Sequence, residues 1–413
     1  MKKPVTQTNF GLFIQDWKLA YFPDYVYFQE GPGLRTSQFT DSGIKVINVK
    51  NILLDGTIDI SNSERYISLE EFDKKYKHFA IEVGDIVVSS SGWSYGKVGR
   101  IQQNHLPLVM NTSVIRFRPL WEELLDANFL YYFLCSSFFR NQIESFIIGC
   151  QQPNFGPAHI KRMQIPIISI NTQKKIAAIL SGYDDLIENN TRRIKILEEM
   201  AQTLYHEWFV KFRFPGHEHT KMVDSELGLI PEGWIGKLED ALILQRGFDL
   251  PTKTRQQGNV PVYAATGITG WHNDAKIKTP CVITGRSGSL GTVMYVDEDF
   301  WALNTTLWVK EFRKVTPIYA FYLLSSLGLE QYNSGAAVPT LNRNDIHGLS
   351  VVIPPSPILE QFNSHVDPLF KLKKNLIKRN ENLCQTRDLL LPKLISGEID
   401  VEHLDITTED IAA

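Results

Sequence analysis

The sequence is poor in cysteine: Cys135, Cys150, Cys281 and Cys384 are the only four in 413 residues, and none forms a C-x-x-C spacing. A zinc ribbon, a thioredoxin-type redox pair and a disulfide scaffold are therefore not expected; reduced, mostly buried thiols are. Long hydrophobic runs are also missing. The longest, residues 129–139 (FLYYFLCSSFF), stops at Arg140, well short of the roughly 18 apolar residues that span a bilayer. The first 22 residues start with a basic pair but hold no unbroken apolar core, so no signal peptide is expected and the chain reads as cytoplasmic. No charge sign dominates: 43 Lys+Arg stand against 46 Asp+Glu, a net charge of −3. That excludes a globally basic nucleic-acid binder but not a local basic surface.

A catalytic constellation is absent too. Gly92-Trp93-Ser94-Tyr95-Gly96-Lys97-Val98 is one residue short of a phosphate loop between its glycines and lacks the Ser/Thr after the lysine. No G-x-G-x-x-G follows a strand pattern. His217-Glu218-His219 has no further ligand nearby and reads as a chance pair in an exposed linker. The Asn-Pro-Pro-aromatic tetrapeptide of amino-methyltransferases does not occur, and Gln152-Pro153-Asn154-Phe155 is not one. No catalytic residue, metal ligand or cofactor is expected in this chain.

What is present is a core-forming composition, 43% hydrophobic and 22% charged, and a duplication. Phe28-Gln29-Glu30-Gly31 is echoed by Leu244-Gln245-Arg246-Gly247, and Ile44-Lys45-Val46-Ile47-Asn48 by Val260-Pro261-Val262-Tyr263-Ala264, both 216 positions on. A Gly/Ser-rich stretch starts at Ser89 in one copy and, by eye, at Thr284 in the other. Asn111-Thr112-Ser113 then matches Asn304-Thr305-Thr306, and Tyr131-Tyr132-Phe133-Leu134 matches Ala320-Phe321-Tyr322-Leu323. Gln151-Gln152-Pro153-Asn154 pairs with Ala337-Val338-Pro339-Thr340, and each copy closes on Ile-Pro, at Ile165-Pro166 and Ile353-Pro354. The offset drifts from 216 to about 186, as insertions in surface loops produce.

Each copy is followed by a heptad seam. In the first, Ile176, Leu180, Tyr183, Ile187, Asn190, Ile194, Leu197, Ala201, Leu204 and Trp208 recur at three- and four-residue steps. In the second the seam is Phe362, Val366, Leu369, Lys373, Leu376, Asn380, Leu383, Arg387, Leu390 and Leu394. Polar seam residues such as Asn190 and Asn380 weaken a coiled coil but fix its register and partner. Residues 371–393 carry seven Lys/Arg and two Asp/Glu, either a solvated face or a surface toward nucleic acid or an acidic partner. The expected plan is a first mixed unit (1–165), a long helix (166–214), a second unit (215–353), a second long helix (354–397) and an acidic, solvated tail (398–413). The fold class is α+β: two pseudo-repeated mixed units separated by antiparallel coiled-coil helices. A duplicated unit most simply meets its copy about a two-fold axis, which would set two unlike modules at opposite ends of a strut about 48 Å long. Duplex DNA offers matching pseudo-dyads, with half-sites about one turn apart.

These features resemble the specificity (S) subunit of a Type I restriction–modification system. The likeness rests on the repeated layout, the helix entry Gln173-Lys174-Lys175-Ile176-Ala177 with Asp184-Asp185-Leu186-Ile187, Pro231-Glu232-Gly233-Trp234, and the ending Leu391-Pro392-Lys393-Leu394-Ile395-Ser396-Gly397-Glu398-Ile399. The resemblance implies two target-recognition domains, each reading half of a bipartite, asymmetric double-stranded DNA target, and helices that act as ruler and docking site for two methyltransferase (M) subunits. S-adenosylmethionine would be bound by those subunits, and ATP and Mg by the restriction (R) subunits. Lys373 and Arg387 depart from an apolar seam and put the evenness of the pairing in question. The competing reading is a coiled-coil scaffold displaying two binding modules without DNA specificity.

Groove reading needs hydrogen-bonding side chains and phosphate-binding cations. In the first unit the candidates are Ser91, Trp93, Tyr95 and Lys97 in the glycine stretch and Gln151, Gln152 and Asn154 in the later loop. In the second they are Lys253, Arg255, Arg286, Ser287 and Ser289. Trp93 and Tyr95 are equally well read as core residues, and Asn111 and Asn304 as turn or strand-end residues.

Overall fold

The computed structural model describes residues 5–8, 11–14, 17–61, 63–147, 153–335 and 337–406, the first two as backbone only. It divides into two compact units. Unit 1 is residues 1–189 with 379–413, and unit 2 is residues 190–378, so both boundaries fall inside long helices.

In unit 1 the strands are β1 (Lys18–Tyr21), β2 (Val26–Glu30), β3 (Ile44–Ile47), β4 (Tyr66–Ile67), β5 (Ile86–Ser89), β6 (Val98–Arg100), β7 (Leu108–Met110), β8 (Val114–Pro119) and β9 (Gln164–Ile167). They form a four-stranded antiparallel sheet in the order β2-β8-β5-β6, a three-stranded sheet β4-β3-β7 and a pair β9-β1. Helices α1 (Ala127–Cys135) and α2 (Ser137–Ile147) cover the larger sheet. The segment 127–147 thus forms two helices, broken at Ser136, whose N–H and hydroxyl both donate to the Phe133 carbonyl. Phe22, Phe117, Phe133 and Phe139 fill the core between sheet and helices.

Unit 2 repeats this plan. Beyond a hairpin of Met222–Ser225 and Gly228–Pro231, its strands are β10 (Ile235–Lys237), β11 (Leu242–Arg246), β12 (Val260–Ala264), β13 (Gly267–His272), β14 (Cys281–Gly285), β15 (Val293–Val296), β16 (Trp301–Ala302), β17 (Thr306–Phe312) and β18 (Ser350–Val352). The sheet orders are β11-β17-β14-β15, β13-β12-β16 and β10-β18. In both units a parallel strand pairing joins the same elements, β3 with β7 and β12 with β16. One helix of ten residues, Pro317–Ser326, stands where unit 1 has α1.

The strand pairing corrects four matches made by eye. Val88 lies opposite Ile115, and Thr284 opposite Leu307. Thr284 is therefore the counterpart of Val88, so Gly92 corresponds to Gly288 and Trp93 to Ser289. Asn111 corresponds to Leu303, since both donate their N–H to the parallel neighbour strand, at Ile47 and Tyr263; Asn304 is the counterpart of Thr112. The helix caps Asp126 and Thr316 align Tyr132 with Tyr322 rather than with Phe321. Ile165, opposite Ala20, corresponds to Val351, opposite Gly236, so the second Ile-Pro comes two residues late. Matching identical letters slips by one or two residues, whereas a strand's two faces cannot exchange without moving its whole buried set.

The long helices are α3 (Ile170–Tyr205) and α4 (Ser356–Ile395). In unit 1 the start of α3 runs against the end of α4. Asn380 Nδ2 donates to the Ile187 carbonyl at 3.2 Å, and Arg387 Nη1 to Asp184 Oδ1 at 2.6 Å. In unit 2 the end of α3 runs against the start of α4: Lys373 Nζ meets Glu198 Oε1 at 2.6 Å, and Trp208 packs on Phe362. Partner numbers fall on one helix as they rise on the other in both units, so each pairing is antiparallel. The predicted seam is the inward one: Ile176, Leu180, Asn190, Leu197, Ala201, Trp208, Phe362, Val366, Leu376 and Leu394 are buried, while Ile187, Ile194, Leu204, Leu369, Leu383 and Leu390 are half-buried. The two cations that interrupt the seam each meet an acid on the facing helix. With Lys374 paired to Asp297 at 2.9 Å, three of the seven cations over 371–393 are engaged in ion pairs.

Two expectations change. The tail is not simply solvated: Val401 is buried in the unit 1 core beside Leu394 and Ile395, and Lys175 Nζ donates to the Glu402 carbonyl at 2.8 Å. The thiols are not mostly buried: Cys281 is, Cys384 is half-buried and Cys135 is exposed, all three free, while Cys150 lies outside the described residues. Burial pushes the Cys281 thiol up to about 12, so it stays protonated.

Asp184 accepts from both Arg387 and the Tyr132 hydroxyl (2.6 Å), and burial, then the nearby carboxylate, keeps that phenol far above its ordinary range. Asp184→Ala should cost about 1–3 kcal/mol by removing the facing-helix acceptor of a half-buried guanidinium, which keeps only Asp388, and the acceptor of the Tyr132 hydroxyl. The double variant Asp184→Leu/Arg387→Leu leaves only the exposed Asp388 without its partner and should recover most of that loss in thermal melts; no recovery would mean the pair is not what holds this contact.

Candidate nucleic-acid interface

The two glycine stretches form the same local structure in both units. In unit 1 the chain leaves β5 at Ser89 and crosses the loop that follows α2. Ser90 N donates to Ser113 O at 2.8 Å, Gly92 N to Pro153 O at 2.9 Å and Phe155 N to Ser90 O at 3.0 Å. In unit 2 Arg286 N donates to Thr305 O at 2.8 Å, Gly288 N to Pro339 O at 2.9 Å and Leu341 N to Arg286 O at 2.8 Å. Ser91 bridges Asn154, and Ser287 bridges Thr340. Gly92 (φ 71°) and Gly288 (φ 88°) both sit in the left-handed region that a side chain resists.

The structure therefore brings together Ser91 and Asn154 in unit 1, and Arg286, Ser287 and Ser289 on one loop in unit 2, while Lys97 lies at the end of the unit 1 loop with its N–H on Ser89 Oγ. Gln151 and Gln152 lie outside the described residues. Trp93 projects from its loop and is exposed, whereas Tyr95, two residues on, packs against the unit 1 core. Arg286 is half-buried, and its Nη1 donates to the Asn304 carbonyl at 3.2 Å. Lys253 stands exposed on the turn Thr252–Thr254. Arg255 does not extend freely: its Nη1 donates to Thr269 O at 2.9 Å across the β12–β13 hairpin, and it covers Gly270, where a Cβ would approach the guanidinium to 2.6 Å. It holds the hairpin in place.

Sequence reading missed Arg140. It lies on α2, and its guanidinium comes within 3.9 Å of where a Gly96 Cβ would stand, beside Lys97. Neither Arg140 nor Lys97 has an acidic partner among the described residues. The signal was available only in part: the chain carries no Asp or Glu between Asp85 and Glu122, but the approach of α2 to the glycine loop is tertiary.

The units differ beneath this shared surface. In unit 1, Asp85 (1% exposed) is held by Arg118 Nη2 at 2.9 Å and faces Arg116 Nη1 at 3.6 Å, while Arg116 also donates to the His78 carbonyl at 3.1 Å. The strand register places Cys281 and Trp308 at the positions of Asp85 and Arg116. One copy has a buried ion pair where the other has a thiol and an indole.

Two mixed units that share one topology and one loop-on-loop surface, each packed on half of a long helix pair, define a duplicated recognition protein. The family model for the "Type I restriction modification DNA specificity domain" matches residues 17–199 and 231–383, and the chain belongs to this family. The Type I restriction enzyme MjaIX specificity subunit of Methanocaldococcus jannaschii is 27% identical over 96% of this chain and 97% of its own length. The Type I restriction enzyme EcoKI specificity subunit of Escherichia coli (strain K12) is 35% identical over 29% of this chain and 25% of its own. In fold, the crystal structure of the Type-I restriction-modification system S subunit from M. genitalium matches 92% of this chain and 96% of that one, with a TM-score of 0.57 and 18% identity. No helix among the described residues is long and apolar enough to cross a membrane.

A constraint common to both units checks the register. A Cβ on Gly31 would meet Asn111 O at 2.3 Å, and one on Gly247 would meet Leu303 O at 2.2 Å. Gly31→Ala and Gly247→Ala should each destabilise by about 1–3 kcal/mol, the cost of overpacking. Melting curves unchanged by both would contradict the assigned equivalence of the two sheets.

Proposed function

We propose that this chain is the DNA-sequence-reading subunit of a Type I restriction–modification complex, without catalytic activity of its own, and that its two units each read one half of a bipartite, asymmetric target. The observation that carries this is the repeated loop-on-loop surface. The same backbone scaffold carries Ser91, Trp93, Lys97 and Asn154 in one unit and Arg286, Ser287, Ser289 and Thr340 in the other. Hydroxyls, an amide and cations on a rigid scaffold suit base-edge and phosphate contacts, and unlike side chains on like scaffolds read unlike half-sites.

The partners are double-stranded DNA, two M subunits that bring S-adenosylmethionine, and R subunits that bring ATP and Mg. Family membership and the specificity subunits among the relatives support this assignment. The helices α3 and α4 set the gap between half-sites. Coupling one reader to the next by continuous helix rather than by a flexible loop gives a fixed length.

The complex assembled with M subunits should bind and methylate one split sequence, with affinity falling steeply as salt rises. Equal affinity for unrelated duplexes would favour a protein-interaction scaffold instead. Inserting four residues, about one turn, into both α3 and α4 adds about 6 Å to each. The non-specific gap should lengthen by about two base pairs with both half-sites kept. Methylation mapping that finds the gap unchanged would remove the ruler role.

A further inference from the structure

The two glycine loops share their backbone but not their tips. At the tip of the unit 1 loop stands Trp93, 86% exposed; at the corresponding position of unit 2 stands Ser289. The backbone of the unit 1 tip is held by its own hydrogen bonds. Ser89 Oγ donates to the Ser94 carbonyl at 2.5 Å and accepts from Lys97 N at 2.9 Å, Tyr95 N donates to Gly92 O at 3.2 Å, and Gly92 N is held by Pro153 O. Gly92 and Gly96, both at positive φ, flank the tip.

A rigidly presented, nearly bare indole leaves a large apolar surface in water, an arrangement that marks a contact still to be made. Its surroundings indicate the partner. Ser91 and Asn154 offer neutral hydrogen-bonding groups on the same loop surface, Lys97 follows four residues after Trp93, and the chain from 86 to 121 is free of Asp and Glu. An exposed aromatic plane on an acid-free stretch that also carries hydroxyl and amide groups suits a polyanion with stacked bases.

We propose that Trp93 is a specificity-determining residue of the half-site read by unit 1: its indole wedges against one base step and stacks there, while Ser289 leaves unit 2 to hydrogen bonding. This rests on the DNA-reading function above and adds its mode. A wedge unstacks the step it enters, and pyrimidine–purine steps yield most readily. The half-site of unit 1 therefore contains such a step at the point of contact, and the distortion is confined to that half-site.

The test uses the chain assembled with its M subunits on its own target duplex, with 2-aminopurine placed in turn along each half-site. With the native chain, 2-aminopurine fluorescence should rise at one step of the unit 1 half-site and nowhere in the other. Trp93→Ala should abolish that rise and weaken binding roughly 5- to 150-fold, the loss of one stacked base. Trp93→Phe should keep most of both, and the thermal midpoint of the free subunit should not move. Equal affinity and an unchanged signal for Trp93→Ala, while the native complex still selects its split sequence, would overturn the wedge and leave the reading function intact. Failure of Trp93→Ala to assemble with M subunits before DNA is added would overturn it as well, by making the indole a protein contact. A native complex with no sequence preference would overturn both.

Discussion

The structure depends on charged rungs set into an apolar helix seam. Arg387 against Asp184 and Lys373 against Glu198 occupy positions where a uniform coiled coil would carry leucine or isoleucine. Apolar seams associate in many registers and orientations at similar cost, and a lone desolvated cation in a seam is expensive. A cation matched to an acid on the facing helix removes that cost only in one alignment. Stability is exchanged for definition of register. Tyr132, donating to the same Asp184, ties helix α1 of unit 1 to this rung, beside the apolar contact that Ile176, Leu180, Leu394 and Ile395 make with the same core.

Duplication followed by divergence explains the rest. What the copies keep is backbone: sheet order, the parallel contact, the glycine that lets one strand pass another, and the hydrogen bonds of the loop surface. What they change is side chains, even in the core, where Asp85 and Arg116 of one copy answer to Cys281 and Trp308 of the other. A scaffold held mainly by backbone pairing and glycine geometry tolerates such exchange, and recognition loops mounted on it can vary without cost to the fold.

Much of this was legible in the chain itself. The long helices announce themselves by a 3.5-residue period, and the strands over Ile86, Val114, Val282 and Leu307 by β-branched runs between turn residues. The duplication was visible as well, but its register was not. Letter identity favoured Asn111 with Asn304, whereas pairing across the sheet matches Asn111 to Leu303. Ion pairing is tertiary and was hidden: Lys373 and Arg387 looked like defects until their acids were found. Arg140 was invisible for the same reason, because nothing in the spacing of α2 says that it returns to Gly96. Arg255 shows the reverse, an apparent ligand-facing cation that a neighbouring hairpin occupies.

The central claim is that two unlike readers on one helix pair each determine half of a split DNA target. Replacing residues 17–165 by the corresponding segment of a family member of different specificity, then mapping methylated sites in cells that supply the M subunits, tests it most directly. The account predicts a hybrid target in which one half changes, while the other half and the gap length stay as they were. A change in both halves, or in neither, would contradict it.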